Sequence, residues 1–370
     1  MITWRSGNVV SLGAAWAGAR ECQVATEDGS VRALVYLDLV GEPTVGERVL
    51  LNVTAQTLGL GTGGYALVVA RPEALRGDRE GPGHLVKARY TPLQTIVLGV
   101  DEQDSPHHVL LREADDLSGL PVVVADLHSA LPAVVGGARW AAARAGRQEP
   151  RVVHVMTDGG ALPAAFSRTV AGLREAGWLA ACITVGQAYG GDLEAVTVHS
   201  GLLAARLVAE ADIAVVVQGP GNLGTGTRWG FSGAAAGEAV NAAGVLGGRP
   251  VAALRVSGAD PRTRHRGISH HCLTAYGRAA LVPADVVVPV GPSGDPDRDR
   301  LRSAVRAQAT QLCAPNGRHR LVEVAAGPDL EAALAEVPVE LMTMGRSLAV
   351  DPEPFVAAAV AGVHAASLLP

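Results

Sequence analysis

Two hydrophobic rhythms divide the chain. Up to about residue 72 the apolar positions come in short β-type runs: Val9-Val10, Cys22 to Ala25, Val31 to Tyr36, Val49 to Val53 and Ala66 to Val69. Between them lie the turn-formers Glu27-Asp28-Gly29-Ser30, Gly41 to Gly46 and Gly61 to Gly64. Asp28-Gly29 between two such runs is a hairpin signal, and short strands with turns at regular intervals predict a small β-barrel over residues 1–72. Arg71 to Gly83 is polar and rich in Gly and Pro, so residues 73–92 read as a linker.

From Leu93 onward strand-like runs alternate with helix-like ones, which assigns residues 93–370 to an α/β domain. The expected strands are Thr95 to Val100, Pro121 to Ala125, Val152 to Met156, Ala181 to Val185, Ile213 to Val217, Pro250 to Val256, Asp285 to Val290 and Arg320 to Val324. Helical periodicity covers Ala130 to Arg144, Leu162 to Glu175, Leu193 to Ala209 and Ala234 to Leu246. It returns at His271 to Ala280, Asp297 to Leu312, Asp329 to Glu336 and Pro354 to Leu368. Runs such as Val122-Val123-Val124 and Val286-Val287-Val288 are apolar without alternation, as strands covered on both faces are. They predict a doubly wound, mainly parallel, Rossmann-like sheet.

Composition narrows the chemistry. Glycine supplies 45 of 370 residues, well above the usual ~7%. Aromatic residues make up 4% and the net charge is −5. With no basic stripe and few stacking rings, nucleic acid is not an expected partner. Lys87 is the only lysine, so a Schiff base or a phosphate-loop lysine could come from nowhere else. Cys22, Cys182, Cys272 and Cys313 are far apart and form no C-x-x-C pair, which suits a reducing, cytoplasmic setting better than a disulfide framework. No signal peptide and no membrane span is visible, so no membrane partner is expected.

In an open α/β sheet, ligands bind beyond the carboxyl ends of the strands. Polar residues gather at five such ends. Asp126 and His128 follow the first, Asp158-Gly159-Gly160 the second, and a loop ending in Asp192 the third. The fourth runs into Gly219-Pro220-Gly221-Asn222-Leu223-Gly224-Thr225-Gly226-Thr227. The fifth leads to a segment holding Asp260, Arg262, Arg264, His265, Ser269, His270 and His271. An Asp or Ser just past a strand is often a helix N-cap, and a lone histidine is often a core residue. Three histidines and three arginines within a dozen residues are harder to explain that way, because neutral imidazole suits acid–base work or metal ligation. Adjacent helical residues point about 100° apart, so His270 and His271 can share a ligand only at a helix start or in a loop.

Gly219, Gly221 and Gly224 match the G-x-G-x-x-G dinucleotide fingerprint. The run continues through Thr225-Gly226-Thr227-Arg228, which delays the next helix beyond the place the fingerprint needs. The same loop could instead cradle an anion with its bare N–H groups and the Thr225 and Thr227 hydroxyls, complemented by Arg262. It could also be thin only for packing.

Several motifs taken together resemble a bacterial family known as a domain of unknown function. They are Gly63-Gly64, Leu127-His128-Ser129-Ala130-Leu131-Pro132, Thr157-Asp158-Gly159-Gly160-Ala161-Leu162-Pro163, Gly190-Gly191-Asp192-Leu193-Glu194, the run from Gly219 to Thr227, Trp229-Gly230-Phe231-Ser232-Gly233 and Gly267-Ile268-Ser269-His270-His271. The resemblance spans nearly the whole chain and implies a grouping without an activity. Leu273-Thr274-Ala275 followed by Val286 to Pro292 is similar to short segments of glycine and betaine reductase substrate-binding subunits.

The residues themselves point to a hydrolase or lyase acting on a small anionic metabolite. Asp126, His128, Asp158, Asp260, His265, His270 and His271 would supply acid–base groups or hold a divalent metal as cofactor, and Gly219 to Thr227 with Arg262 would hold the anion. The alternatives are a non-catalytic, homo-oligomeric metabolite-binding or scaffold protein, and a dinucleotide-dependent oxidoreductase.

Overall fold

The computed structural model describes residues 2–78, 81–314 and 317–370. Arg79 and Glu80, inside the expected linker, and Met1, at the start of the expected barrel, lie outside the described residues.

Five strands, β1 (Trp4–Trp16), β2 (Ala19–Thr26), β3 (Gly29–Tyr36), β4 (Arg48–Asn52) and β5 (Ala66–Ala70), close a barrel in the order β1-β2-β3-β5-β4. Alternate residues turn inward, and Val9, Val24, Val35, Val49, Leu51 and Val68 fill the interior. The barrel is tied to the rest of the chain by polar contacts. Trp16 Nε1 donates to the Ala165 carbonyl at 2.6 Å, and Glu21 accepts from Tyr65 and pairs with Arg168.

Residues 95–97 do not join the main sheet. They form the strand β7 (Thr95–Val97) of a two-stranded hairpin with β6 (Leu85–Lys87). This hairpin carries the lone lysine into the interior, where Lys87 Nζ donates to the Ala188 and Ala195 carbonyls at 2.9 Å each and lies 3.4 Å from Glu194 Oε2. A buried ammonium needs such compensation. Lys87 is therefore a structural pin.

The main sheet contains β8 (Pro121–Val124), β9 (Val152–Thr157), β10 (Ala181–Thr184), β11 (Leu193–Glu194), β12 (Ile213–Gln218) and β13 (Arg249–Ala252). A small antiparallel ladder of β14 (Val256–Ser257) and β15 (Gly267–Ile268) stands beside it. The sheet is completed by β16 (Asp285–Val290) and β17 (Arg320–Ala325). Its eight strands, in the order β11-β10-β9-β12-β8-β13-β16-β17, are all parallel.

Both faces are covered. Val122, Val124, Val153 and Val155 share one core with the helices Val198–Leu207, Ala235–Val245 and Pro296–Cys313. Val123, Ala125, Val152 and Met156 share the other with Leu131–Arg144, Pro328–Ala335 and Glu353–Ser367. Among the described residues no helix is long and apolar enough to cross a membrane, and all four cysteines are free and buried.

Two expected helices begin elsewhere. Residues 193–194 pair with β10 as an edge strand, and the helix starts at Val198, where Thr197 and Ser200 form a capping box. In the expected helix Leu162 to Glu175, Pro163 interrupts the pattern and the helix begins at Arg168, capped by Ser167.

The second core depends on backbone contact between helices. A Cβ on Gly362 would collide with the Val134 carbonyl oxygen, and one on Gly137 with that of Ala359. Neither neighbour is a flexible side chain that could swing away. Gly362→Ala should therefore destabilise the fold by about 1–3 kcal/mol despite the better helix propensity of alanine, read as a lowered urea midpoint. An unchanged midpoint would show that these helices can separate freely.

Candidate functional site

The expected site residues separate into three neighbourhoods, of which one gathers the histidines. Its construction starts at the ends of β8 and β13. Tyr276, fully buried, donates its hydroxyl to the carbonyls of Val124 at 2.8 Å and Ala253 at 3.1 Å, locking the segment after the histidines onto those two strand ends. That segment is a short helix, His270–Thr274, running into a π-helical turn, Ala275–Ala279. The β14–β15 ladder folds residues 258–266 back upon it.

Ser269 then organises the start of the helix. Its hydroxyl is fully buried, accepts from the His271 N–H at 3.2 Å as an N-cap, and meets His265 Nδ1 at 2.8 Å. The expected cap is therefore also the residue that orients a histidine. Because His270 opens the helix, it and His271 can turn to one side, with ring centroids 4.4 Å apart. His265 lies 5.0 Å from each. One ligand-capable atom on each of the three falls within 4.8 Å of the others.

Asp126 joins them from the end of β8. Its Oδ2 is 3.7 Å from His271 Nδ1 and its Oδ1 receives the Cys272 thiol at 3.8 Å. Arg255 approaches the same Nδ1 with its Nη1 at 3.4 Å. The other face of His271 is stacked on Phe231, 3.9 Å between centroids and 1° from parallel. Two buried polar atoms of this group make no hydrogen bond, Asp126 Oδ2 and His270 Nε2. Buried polar atoms without a partner are uncommon and call for an explanation.

The surroundings of His265 and His270 disfavour their charged forms. Burial, with Arg255 and Arg262 nearby, pushes His265 down to about 3, and burial with the neighbouring His271, Arg264 and Arg255 lowers His270. Burial also raises the Cys272 thiol far above its usual range, so it is not a thiolate nucleophile.

Asp260 belongs to the neighbourhood but not to its acid–base chemistry. It accepts from Arg262 N, Nε and Nη2 at 2.9–3.0 Å, and the guanidinium holds its carboxyl well below the usual range. Arg262 is thereby occupied. Arg264 and Arg266 are the exposed arginines here; Arg266 donates Nε to the Asp260 carbonyl at 3.0 Å, whereas Arg264 faces Gly226.

His128 and Asp158 lie elsewhere. His128 is buried between Ser167 Oγ at 2.7 Å and the Gln218 carbonyl at 3.0 Å, and burial lowers it to about 4. Since the Gln218 carbonyl can only accept, the neutral ring carries its proton on Nδ1 and Nε2 accepts from Ser167 Oγ, which leaves that ring without a free position. Asp158 accepts from the Gln187 N–H at 2.8 Å on the β10 side. It ends a strand two positions from β8, roughly 10 Å away at ordinary strand spacing. Asp192 pairs with Arg174 at 2.5 Å.

The glycine run divides into a packed root and an exposed arm. A Cβ on Gly160 would strike the Gly219 carbonyl, and Ala161 N–H donates to Pro220 O at 2.8 Å, so the root is thin because two strand-end loops touch. Beyond it, Gly221 to Trp229 project into solvent, with Thr225 Oγ1 3.3 Å from the Gly230 carbonyl and Thr227 Oγ1 accepting from the Gly230 N–H at 3.1 Å. The threonine hydroxyls thus serve the arm's own backbone. The next helix begins at Ala235, after a 3-10 turn at Ser232–Ala234, which does not match the dinucleotide geometry.

A cleft of about 830 Å³ lies at the opposite end of the sheet beside Val152 and Ala180. Its arginines are engaged: Arg139 with Glu149 at 2.5 Å, Arg147 with the Leu369 and Ala366 carbonyls at 3.2 and 3.1 Å, Arg151 with the Ala209 carbonyl at 2.6 Å, and Arg174 with Asp192. Two voids beside Asp126 measure about 10 and 20 Å³, room for single waters.

Phe231, Arg255 and Arg264 were not singled out from the sequence as site residues. Arg255 falls inside the expected strand Pro250 to Val256, whereas the structure places it between β13 and β14. Phe231 carries no signal before the arm's path is known.

A family model described as "Protein of unknown function (DUF3866)" matches residues 32–362. The chain belongs to this DUF3866 family. The matched span includes every residue of the histidine neighbourhood. Searches of the curated proteins and of the solved structures matched nothing.

The neutral histidines of this DUF3866 protein have a consequence for stability. His154, fully buried in β9, bonds Val215 O through Nδ1 at 3.1 Å, leaves Nε2 unpartnered and is pushed down to about 3. Below pH 6.5 the unfolded chain takes up a proton that the fold excludes, so stability is complete above 6.5 and falls toward pH 3 by up to about 1.4 kcal/mol per pH unit. His154→Leu should make the fall of the urea midpoint between pH 6.5 and 4 shallower. A slope equal to the parent's would place the titration on other groups.

Proposed function

We propose that the chain is a hydrolase or lyase acting on a small anionic metabolite at the rim formed by Asp126, His265, His270 and His271. The observation that carries this reading is the pair of buried, unpartnered atoms, Asp126 Oδ2 and His270 Nε2, in one cluster at the carboxyl end of the sheet. A carboxylate beside imidazoles gathers several bases at one rim, any of which can take a proton from a bound substrate and return it to the leaving group. Arg264, exposed beside the arm at Gly226, replaces Arg262 as the anion's partner.

The reading takes the sheet as doubly wound and Rossmann-like, with a cytoplasmic setting supported by the free cysteines. The strand order reverses around β12 and β8, so Asp126 and the arm from Gly221 to Trp229 flank the switch point where open sheets bind ligands. The voids beside Asp126 are too small for a metabolite, so the substrate sits outside them, under the arm.

A second reading, a non-catalytic homo-oligomeric binding or scaffold protein, is favoured by one feature. Pairing of β1 with β4 ends at Asn8, and beyond it Val10 and Leu12 are exposed.

The test is turnover of a panel of phosphate monoesters, carboxylate esters and hydroxy acids, followed by mass spectrometry. A converted substrate should lose at least about 100-fold in rate with Asp126→Asn, and all turnover with combined His270→Ala and His271→Ala, while circular dichroism stays unchanged. Full activity in the double variant would contradict the assignment. No turnover and no anion-induced rise in Tm would favour the scaffold.

A further inference from the structure

We propose that His265, His270 and His271 form a binding site for one divalent transition metal ion. The inference deepens the functional reading by naming the cofactor of the same site, and the ion could bind even if the protein catalysed nothing.

Three independent features of geometry support it. The first is convergence. One nitrogen on each ring lies within 4.8 Å of the others. Metal–nitrogen bonds of about 2.1 Å in a tetrahedral arrangement place ligand nitrogens roughly 3.4 Å apart. Small side-chain rotations would close that gap, and the helix start gives His270 and His271 the freedom to make them.

The second is orientation. Ser269 Oγ holds His265 by Nδ1, and His271 turns its Nδ1 toward Asp126. His265 is thereby set to offer Nε2, and His271 offers the same nitrogen when its Nδ1 carries the proton toward Asp126 instead of accepting from Arg255 Nη1, 3.4 Å away. On His270 it is Nε2 that is buried without a partner. All three side chains thus have the same nitrogen to give.

The third is the surrounding shell. A ligating imidazole characteristically passes its other N–H to a carboxylate. Asp126 Oδ2, itself buried and unpartnered, is 3.7 Å from His271 Nδ1. A metal on Nε2 would put the proton on Nδ1 and draw that contact into a hydrogen bond, satisfying both orphaned atoms at once. Asp126 is a positioning residue in this arrangement.

The ligand set also selects the ion. Three neutral imidazoles suit zinc, cobalt, nickel, copper or iron, whereas magnesium and calcium prefer oxygen. Cys272 is not a ligand, because its Sγ is committed to the Arg255 N–H at 3.2 Å and to Asp126. Three protein ligands leave a position open for water or substrate, the pattern of catalytic sites. The arginines around the trio, which would repel a bare cation, favour an anion in that position.

The full chain, stripped with a chelator, is titrated with zinc by calorimetry and with cobalt by visible absorption. One ion per chain is expected, with a tetrahedral cobalt spectrum. His265→Gln, His270→Gln and His271→Gln should each weaken binding by more than 100-fold, and Asp126→Asn by about 10–100-fold. Absence of stoichiometric binding, or variants that bind as the parent does, would overturn the inference. Should a variant not fold, the parent's cobalt spectrum still decides, since an octahedral, all-oxygen spectrum contradicts a trio of histidines. Binding without turnover of any anion would remove the enzyme reading and leave the metal site standing. Turnover that persists after chelation, with no ion bound, would do the reverse.

Discussion

A sheet whose strands all run parallel has no face it can leave in water, and here both faces are closed by helices, on one side to the point of backbone contact at Gly137 and Gly362. Covering the faces leaves the strand ends as the place where polar side chains can gather. Most such groups buried elsewhere are compensated, His154 Nε2 and Gln218 Oε1 being the exceptions among the described residues. Lys87 has two carbonyls and a carboxylate, His128 has both ring nitrogens bonded, and Arg302 reaches Glu353 and two carbonyls.

Against that background the group around Asp126 and His270 is unusual. Its construction is economical: Tyr276 ties one short helix to β8 and β13, and a single serine caps that helix and orients His265. The orphaned atoms do not follow from poor packing, since Phe231 stacks flat on His271 and the adjacent voids are hardly larger than a water. A buried site left incomplete in this way costs stability, which is reasonable if a bound species completes it.

Much of this is legible in the amino-acid sequence. Turn residues between short apolar runs mark the barrel, and unalternating valine runs mark the parallel strands, because both signals are local. The dense segment from Asp260 to His271 marks the site for the same reason. Long-range partners escape such reading. Asp158 and His128 stand after strands just as Asp126 does, yet Asp158 turns toward Gln187 and His128 is sealed by Ser167 and Gln218. Arg262 has no partner marked in the sequence, yet it folds back onto Asp260 two residues away. Glycine excess after strands suggests an anion loop, whereas Gly160 and Gly219 are there because two loops touch. Residues 193–194 carry too short a run to be distinguished from the helix that follows.

The central claim is that the fold brings His265, His270 and His271 to one ion. The most direct measurement is a crystal structure of the full chain grown with cobalt, with diffraction recorded at its absorption edge. The account predicts a single strong anomalous peak about 2.1 Å from one nitrogen of each histidine, with Asp126 hydrogen-bonded to His271. A peak elsewhere, or none, with the three rings bonded only to water, would contradict it.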